Sequence, residues 1–370
     1  MTRVLHVQKV SGVSGSEAHL LSLLPRLRAR GLDAGIVVLH EREPGAAEFV
    51  ERMRAAGVPT EAWRMRFDLD PSVPARLLRR RPDILHTHLV HADVLGLPAG
   101  AAARVPLRVS TQHGFNEFRG NPLVARADRA AARFAHRQIA ISAGLADYLA
   151  ATEGFDRSAF TVVHYGIEPG PPPPPPPAEP KLAAVGRLIP IKGLDVLLRA
   201  FATARREVPA LTLELAGAGR LEAELRAAAP DGVTFLGRVS AVAPVYERNA
   251  IVVVPSRGEG FGMVALEAAE RGRPSIVSAV GGLPEIVDDG ATGVVVPPED
   301  VDALARAIVD LAGDPERVRR LGAAARQRAV DSFSAEAEAD AVADLYRTAL
   351  HARSAAAPAS RAIRKSNGTR

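Results

Sequence analysis

Ser256-Arg257-Gly258-Glu259-Gly260-Phe261-Gly262-Met263-Val264-Ala265-Leu266-Glu267 is the most informative stretch of this chain. It follows an apolar run, Ile251–Val254, that predicts a strand, and it opens a segment, 261–271, that predicts a helix. Glycines at 258, 260 and 262 let the backbone approach a ligand closely, and the first helical turn presents free N–H groups carrying partial positive charge. A strand–turn–helix end of this kind binds anions. Glu259 stands just before it, and Glu267 lies eight residues further on, about 12 Å away if the stretch is helical throughout. Two carboxylates flanking an anion site suit a ligand with a sugar at one end, phosphates in the middle and a ribose at the other. Glu259 also reads as an acid at a helix N-terminus and Glu267 as a solvated face.

The same alternation of strand and helix runs outward on both sides. In the second half, strands are predicted at 182–185, 211–216, 233–236, 275–278 and 294–296, with helices at 194–205, 221–228, 241–248 and 301–311. In the first half, 4–7, 35–39, 83–86, 107–111 and 138–141 read as strands, and 17–30 as a helix with Leu20, Leu21, Leu24 and Leu27 on one face. Repeated β-α-β units with continuous apolar strands mean parallel sheets covered on both faces. The expected fold is therefore α/β, with two doubly wound, Rossmann-like domains facing across a cleft at the carboxyl ends of their strands. Seven consecutive prolines, Pro171–Pro177, form an extended spacer that can join neither a helix nor a central strand. The boundaries follow: a first domain at 1–168, a proline-rich linker at 169–180, a second domain at 181–334, a terminal helix at 335–352 packing outside the sheets, and a basic, disordered tail at 353–370.

Two further turns support the anion site. Val185-Gly186-Arg187-Leu188-Ile189-Pro190-Ile191-Lys192-Gly193-Leu194 again runs from strand through loop to helix, placing Arg187 and Lys192 at the carboxyl edge of a strand. Lysine occurs only at 9, 181, 192 and 365 among 47 basic residues, so Lys192 reads as a compact point charge placed on purpose. Gly12-Val13-Ser14-Gly15-Ser16-Glu17 is a glycine-bearing turn that sets backbone N–H groups against a phosphate from the opposite domain.

Composition narrows the class. With 47% hydrophobic and 24% charged residues the chain is globular, and with no cysteine it holds no thiolate metal site, cysteine nucleophile or redox switch. Aromatic residues make up 4%, with no basic run interleaved with stacking side chains, which argues against nucleic acid. Residues 1–168 carry a net +5, residues 169–350 a net −5 and the last twenty +5, a split that fits an anionic partner on one side. Neither a signal peptide nor a membrane-spanning run is read, so a cytoplasmic protein is expected.

Taken together, these segments resemble the retaining nucleotide-sugar glycosyltransferases of the GT-B fold, glycosyltransferase family 4. The resemblance extends over nearly all of 1–350 and is carried by Gly186-Arg187…Lys192-Gly193, Gly217-Ala218-Gly219, Phe235-Leu236-Gly237, Pro255-Ser256, Glu259…Glu267 and Gly281-Gly282…Glu285. It implies a metal-independent hexosyltransferase of cell-envelope or polysaccharide biosynthesis. Arg187 and Lys192 would hold the donor diphosphate, and the Met263 and Val264 N–H groups after Gly262 would bind phosphate. Glu267 would take the ribose, and Glu259 would face the donor sugar. Gly15 and Ser16 would close over the diphosphate, and His113 would stand near the transferred sugar. The implied catalytic set is Glu259, His113, Arg187 and Lys192, with no metal and no cofactor beyond a UDP- or GDP-sugar co-substrate. The implied partners are that nucleotide sugar and a glycan, lipid-linked or small-molecule acceptor. The basic first domain, notably Arg76–Arg81, is open to peripheral contact at the inner face of a membrane. An epimerase or hydrolase of the same fold, and a non-catalytic nucleotide-sugar binding module, are the alternatives.

Departures are Ser16 in place of a second glycine, the proline run itself, and His164-Tyr165-Gly166 where the family more often has Pro-Asn-Gly. Other motifs lack support. Asp68-Leu69-Asp70 is expected to be a loop with no strand leading into it, His86, His88 and His91 to be cleft lining rather than metal ligands, and Gly217-Ala218-Gly219 has Glu222 where a dinucleotide fingerprint needs a third glycine.

Overall fold

The computed structural model describes residues 1–12, 15–41, 43–115 and 121–356. The first domain holds β1 (Thr2–Lys9), β2 (Leu32–His40), β3 (Thr60–Arg64), β4 (Ile84–His88), β5 (Leu107–Gln112), β6 (Arg137–Ala140) and β7 (Phe160–Val162). The second holds β8 (Lys181–Val185), β9 (Thr212–Ala216), β10 (Val233–Gly237), β11 (Ile251–Val254), β12 (Ser275–Ser278) and β13 (Gly293–Val296). Every strand pairing is parallel, in the orders β3-β2-β1-β4-β5-β6-β7 and β10-β9-β8-β11-β12-β13. Helices cover both faces, so central strands such as Ile251–Val254 are buried along their whole length.

In each sheet the strand order reverses beside the first strand, between β1 and β4 and between β8 and β11. A crevice opens outside the carboxyl ends at such a switch point. Gly12 follows β1 and Gly15 opens the next helix, while the Gly186–Lys192 turn follows β8. These glycines therefore sit at the switch points.

Two strands escape the sequence pattern. β3 and β7 are edge strands; β3 buries only Trp63 among its five residues, so no apolar alternation marks it. It ends at Arg64, so a strand does lead toward Asp68, contrary to expectation, although Asp68 and Asp70 themselves lie in a loop, as expected.

The proline run is not a free spacer. Gly170 N–H donates to Glu270 Oε1 at 2.8 Å, and Arg326 Nη2 donates to Gly170 O at 3.0 Å. Fully buried Arg273 donates to Pro174 O at 2.9 Å, while its guanidinium also serves the carbonyls of Tyr246, Glu247, Asn249 and Arg271. The run thus lies docked along the second domain. The final helix, Ala335–Ala356, returns to the first domain, where Ala339, Val342, Ala343 and Tyr346 join the core built by the helix Gly15–Ala29 and strands β1 and β2. Within 353–370, residues from 357 onward lie outside the described ones. No described helix is long and apolar enough to cross a membrane.

Candidate functional site

The site begins with backbone approaches that only glycine permits. A Cβ on Gly193 (φ +62°) would lie 2.0 Å from Pro255 O, one on Gly217 1.8 Å from Gly186 O, and one on Gly281 1.6 Å from Glu259 O. The turns after β8, β9, β11 and β12 therefore pack main chain to main chain. The helix Met263–Glu270 opens at Gly262 (φ +114°) without a side-chain cap or an acid in its first turn. Its earliest internal bonds start at Ala265 N and Leu266 N, which donate to Gly262 O, so the Met263 and Val264 N–H groups remain available to an anion.

Lys192 Nζ donates to Glu259 Oε2 at 2.6 Å, and Ser256 Oγ donates to the same oxygen at 3.1 Å. Two sequence-predicted residues 67 positions apart thus meet with side chains only 19% and 17% exposed. Arg187 is exposed in the same turn, and among the described residues its guanidinium has no hydrogen-bond or ion-pair partner. Glu267 is half-buried rather than solvated. It accepts from the Tyr246 hydroxyl at 2.7 Å, and burial pushes its carboxyl above the usual range despite that bond.

Arg257, which the sequence reading passed over, holds the lysine turn in place. Its N–H donates to Ile191 O at 2.8 Å and its Nη1 to Pro190 O at 2.6 Å. The guanidinium also grips Asp195 bidentately, at 2.8 and 2.7 Å, and bonds Glu299. Its place inside the quoted motif was the available signal.

The first domain closes against this loop. A Cβ on Gly260 would come within 2.7 Å of Gly114 Cα and 3.0 Å of His113 O, so the His113-Gly114 turn after β5 lies directly on the Gly258–Gly262 loop. Ser142 Oγ donates to Gly260 O at 2.5 Å. Glu285 accepts from Ala143 N at 3.0 Å, Gly144 N at 2.9 Å and His164 Nε2 at 2.7 Å. Burial alone would raise the Glu285 carboxyl; these donors outweigh it and hold it below the usual range. On the β1 side, Gln8 Nε2 donates to Ser16 Oγ at 3.1 Å and Glu17 Oε1 at 2.8 Å. The Ser16 hydroxyl is thereby fixed with its own proton free to donate. Val13 and Ser14 lie outside the described residues.

The histidines regroup. His91 leaves the trio and turns toward Asp68 at 3.2 Å, while His6 joins His86 and His88, with ring nitrogens within 4.8 Å of one another. Those nitrogens are engaged with neighbours: His86 with Tyr346 (2.5 Å) and Thr111 (2.6 Å), and His88 with His6 (2.9 Å) and His113 (2.8 Å). Of the ring nitrogens of these three histidines, only His6 Nε2 is buried without a hydrogen-bond partner among the described residues. The acids of the Asp68-Leu69-Asp70 turn are also occupied. Lys9 bonds Asp68 and Glu41, and Asp70 accepts from Arg66 N and Ser72 N at 2.8 Å each.

Residues 179–314 match the Glycosyl transferases group 1 family, and residues 13–170 match Glycosyltransferase Family 4. The chain is 32% identical over 293 residues to the glycogen synthase of Mycobacterium tuberculosis, spanning 72% of this chain and 69% of that protein. It is 32% identical over 314 residues to the D-inositol 3-phosphate glycosyltransferase of Nocardia farcinica, spanning 75% and 68%. Among solved structures, Anabaena HepE in complex with UDP-glucose superposes with a TM-score of 0.81, covering 94% of this chain and all of that one at 21% identity. The paired sheets are the GT-B architecture.

Proposed function

Because the chain belongs to the group 1, family 4 glycosyltransferases, enzymes that use nucleotide sugars, we propose that it is a retaining, metal-independent hexosyltransferase moving a sugar from a nucleotide-diphosphate donor to an acceptor hydroxyl. The observation that carries this reading is the meeting of Lys192 and Glu259 at 2.6 Å beside the uncapped start of the helix Met263–Glu270. A diphosphate laid across that helix start takes hydrogen bonds from the Met263 and Val264 N–H groups, and Lys192 and Arg187 balance its charge. Glu267 accepts from ribose hydroxyls, and Glu259 stands at the donor sugar. Gly15 and Ser16 close from the first domain, and His113 walls the sugar side.

In the reaction the bond from the anomeric carbon to the phosphate oxygen breaks. The sugar ring gains oxocarbenium character and the leaving diphosphate gains negative charge, which fixed cations and helix N–H groups stabilise. The acceptor oxygen bonds the anomeric carbon on the same face, and its proton passes to the leaving phosphate. Domain contacts through Ser142 and Glu285 exclude water from this step. The acceptor is a glycan, a lipid or a small polyol. Salt-sensitive binding to anionic vesicles tests a lipid-surface acceptor through the basic first domain.

A thermal-shift series with UDP, GDP, UDP-glucose and GDP-mannose tests the donor, since a ligand of the folded state raises its melting point. Turnover of the stabilising sugar donor is then followed by mass analysis, with and without acceptor, in EDTA. Transfer to acceptor with retained anomeric configuration is expected. Loss of activity in EDTA removes metal independence, an acceptor-free product points to an epimerase or hydrolase, and donor binding without turnover points to a binding module.

A further inference from the structure

The segment His164-Tyr165-Gly166 sits at the junction of both domains. The 4%-exposed Tyr165 presents its hydroxyl to His113 Nδ1 and packs edge-on against Phe261 of the second-domain loop, with ring centroids 5.8 Å apart at 77°. His164 lies flat on the same Phe261 ring at 5.5 Å. On its other side, His113 Nε2 meets His88 Nδ1 at 2.8 Å, and His88 Nε2 meets His6 Nδ1 at 2.9 Å. Phe261, Tyr165, His113, His88 and His6 therefore form one continuous row from the donor loop into the first domain's core.

We propose that Tyr165 is a positioning residue that fixes the ring orientation and tautomer of His113 and ties both to the seating of Phe261 in the donor loop. The inference rests on the glycosyltransferase reading for its effect on rate, but not for its effect on His113. Each neutral imidazole has one N–H, so the row admits only two proton orders. If Tyr165 donates to His113, every proton shifts inward and the row ends on a His6 Nε2–H buried with no acceptor. In the opposite order His113 donates from Nδ1 to the Tyr165 oxygen, which leaves the buried Tyr165 O–H without an acceptor as well as an unpaired His6 Nε2. The first order leaves one buried group unpaired and the second leaves two, so the first order holds. His113 is then an Nε2–H tautomer, accepting from Tyr165 and donating to His88, with both ring nitrogens spent inside the protein. Its backbone carbonyl, packed on Gly260, is the polar atom it offers toward the donor loop. His113 thereby acts as a fixed wall rather than a proton carrier.

The experiment uses the full chain labelled with 15N-histidine, together with Tyr165→Phe, His88→Asn and His88→Leu. The ring 15N spectrum of His113 in the parent should show one protonated and one bare nitrogen. Tyr165→Phe should average the two, with at least a tenfold loss of kcat for sugar transfer while the UDP Kd changes less than twofold. His88→Asn, whose amide oxygen reproduces the Nδ1 acceptor, should keep the parent spectrum, and His88→Leu should lose it. An unaltered His113 spectrum in Tyr165→Phe overturns the proposal, as does an averaged spectrum already present in the parent. If the parent fails to turn over any nucleotide sugar, the enzyme reading falls, and the spectra still decide the role of Tyr165.

Discussion

Lys192 donates to Glu259 across 2.6 Å, so the cation and the acid of the site already neutralise one another. A bound diphosphate competes with Glu259 for that ammonium and draws it into a shared arrangement. Lys192→Ala and Glu259→Gln should each lower kcat/KM by about 100-fold or more, the scale of a lost electrostatic group in an active site. The double variant should be scarcely worse than the poorer single one, because both disrupt one unit. Steady-state kinetics of the four proteins checks this, and simple additivity would show that the two residues act separately.

Glu267 is held by Tyr246 in a half-buried position, where its carboxylate can accept from two hydroxyls at once. Glu267→Gln leaves the shape intact and weakens that acceptance. UDP binding should fall about tenfold, the worth of one charge-assisted hydrogen bond. Titration calorimetry reads the loss; kcat at saturating donor should stay within a few-fold of the parent.

Arg257 ties the Pro190–Lys192 turn to Asp195 and Glu299. Both acids are roughly half exposed, so the ion pairs themselves contribute only about 1 kcal/mol. Arg257→Ala should therefore lower the melting point by a few degrees while raising the donor KM more than tenfold, because Lys192 loses its fixed turn. Parallel melting and kinetic curves test the separation, and a donor KM equal to the parent's would refute it.

The buried histidine row makes stability fall with acid. Burial, helped by His19, lowers His6 from 6.5 to about 3, and burial holds His86, His88 and His113 well below their ordinary value. The unfolded chain protonates these imidazoles near 6.5 and the folded one resists, so the unfolded state binds more protons throughout the interval. Stability should be flat above pH 7 and decline from about 6.5 toward 3, by about 1.4 kcal/mol per pH unit for each histidine titrating in the unfolded state alone. Denaturant midpoints measured from pH 8 to pH 4 give the slope. His6→Gln should reduce it.

The second-domain sheet is legible because its strands are continuous apolar runs punctuated by glycine turns, and the loop from Ser256 announces an anion site by local pattern alone. Edge strands such as β3 expose most of their side chains and so carry no such mark. The long-range partners are hidden for a different reason. Nothing in the sequence near Glu267 names Tyr246, and nothing near His113 names Tyr165 or His88, since their meeting depends on sheet order. Scarcity offers one signal. Of the four tyrosines, Tyr165, Tyr246 and Tyr346 are all buried with hydroxyls bonded to a histidine or a glutamate. The docked proline run could not be foreseen from composition, because its anchors, Glu270, Arg273 and Arg326, lie about a hundred residues or more downstream.

The return of the final helix has a bearing on how the polypeptide is born. Tyr346 supplies the hydroxyl that meets His86 in the first domain, so that lobe lacks a wall of its interior until residue 346 leaves the ribosome. Synthesis therefore completes the second lobe before the first, inverting the usual order in which the N-terminal unit matures ahead of its successor.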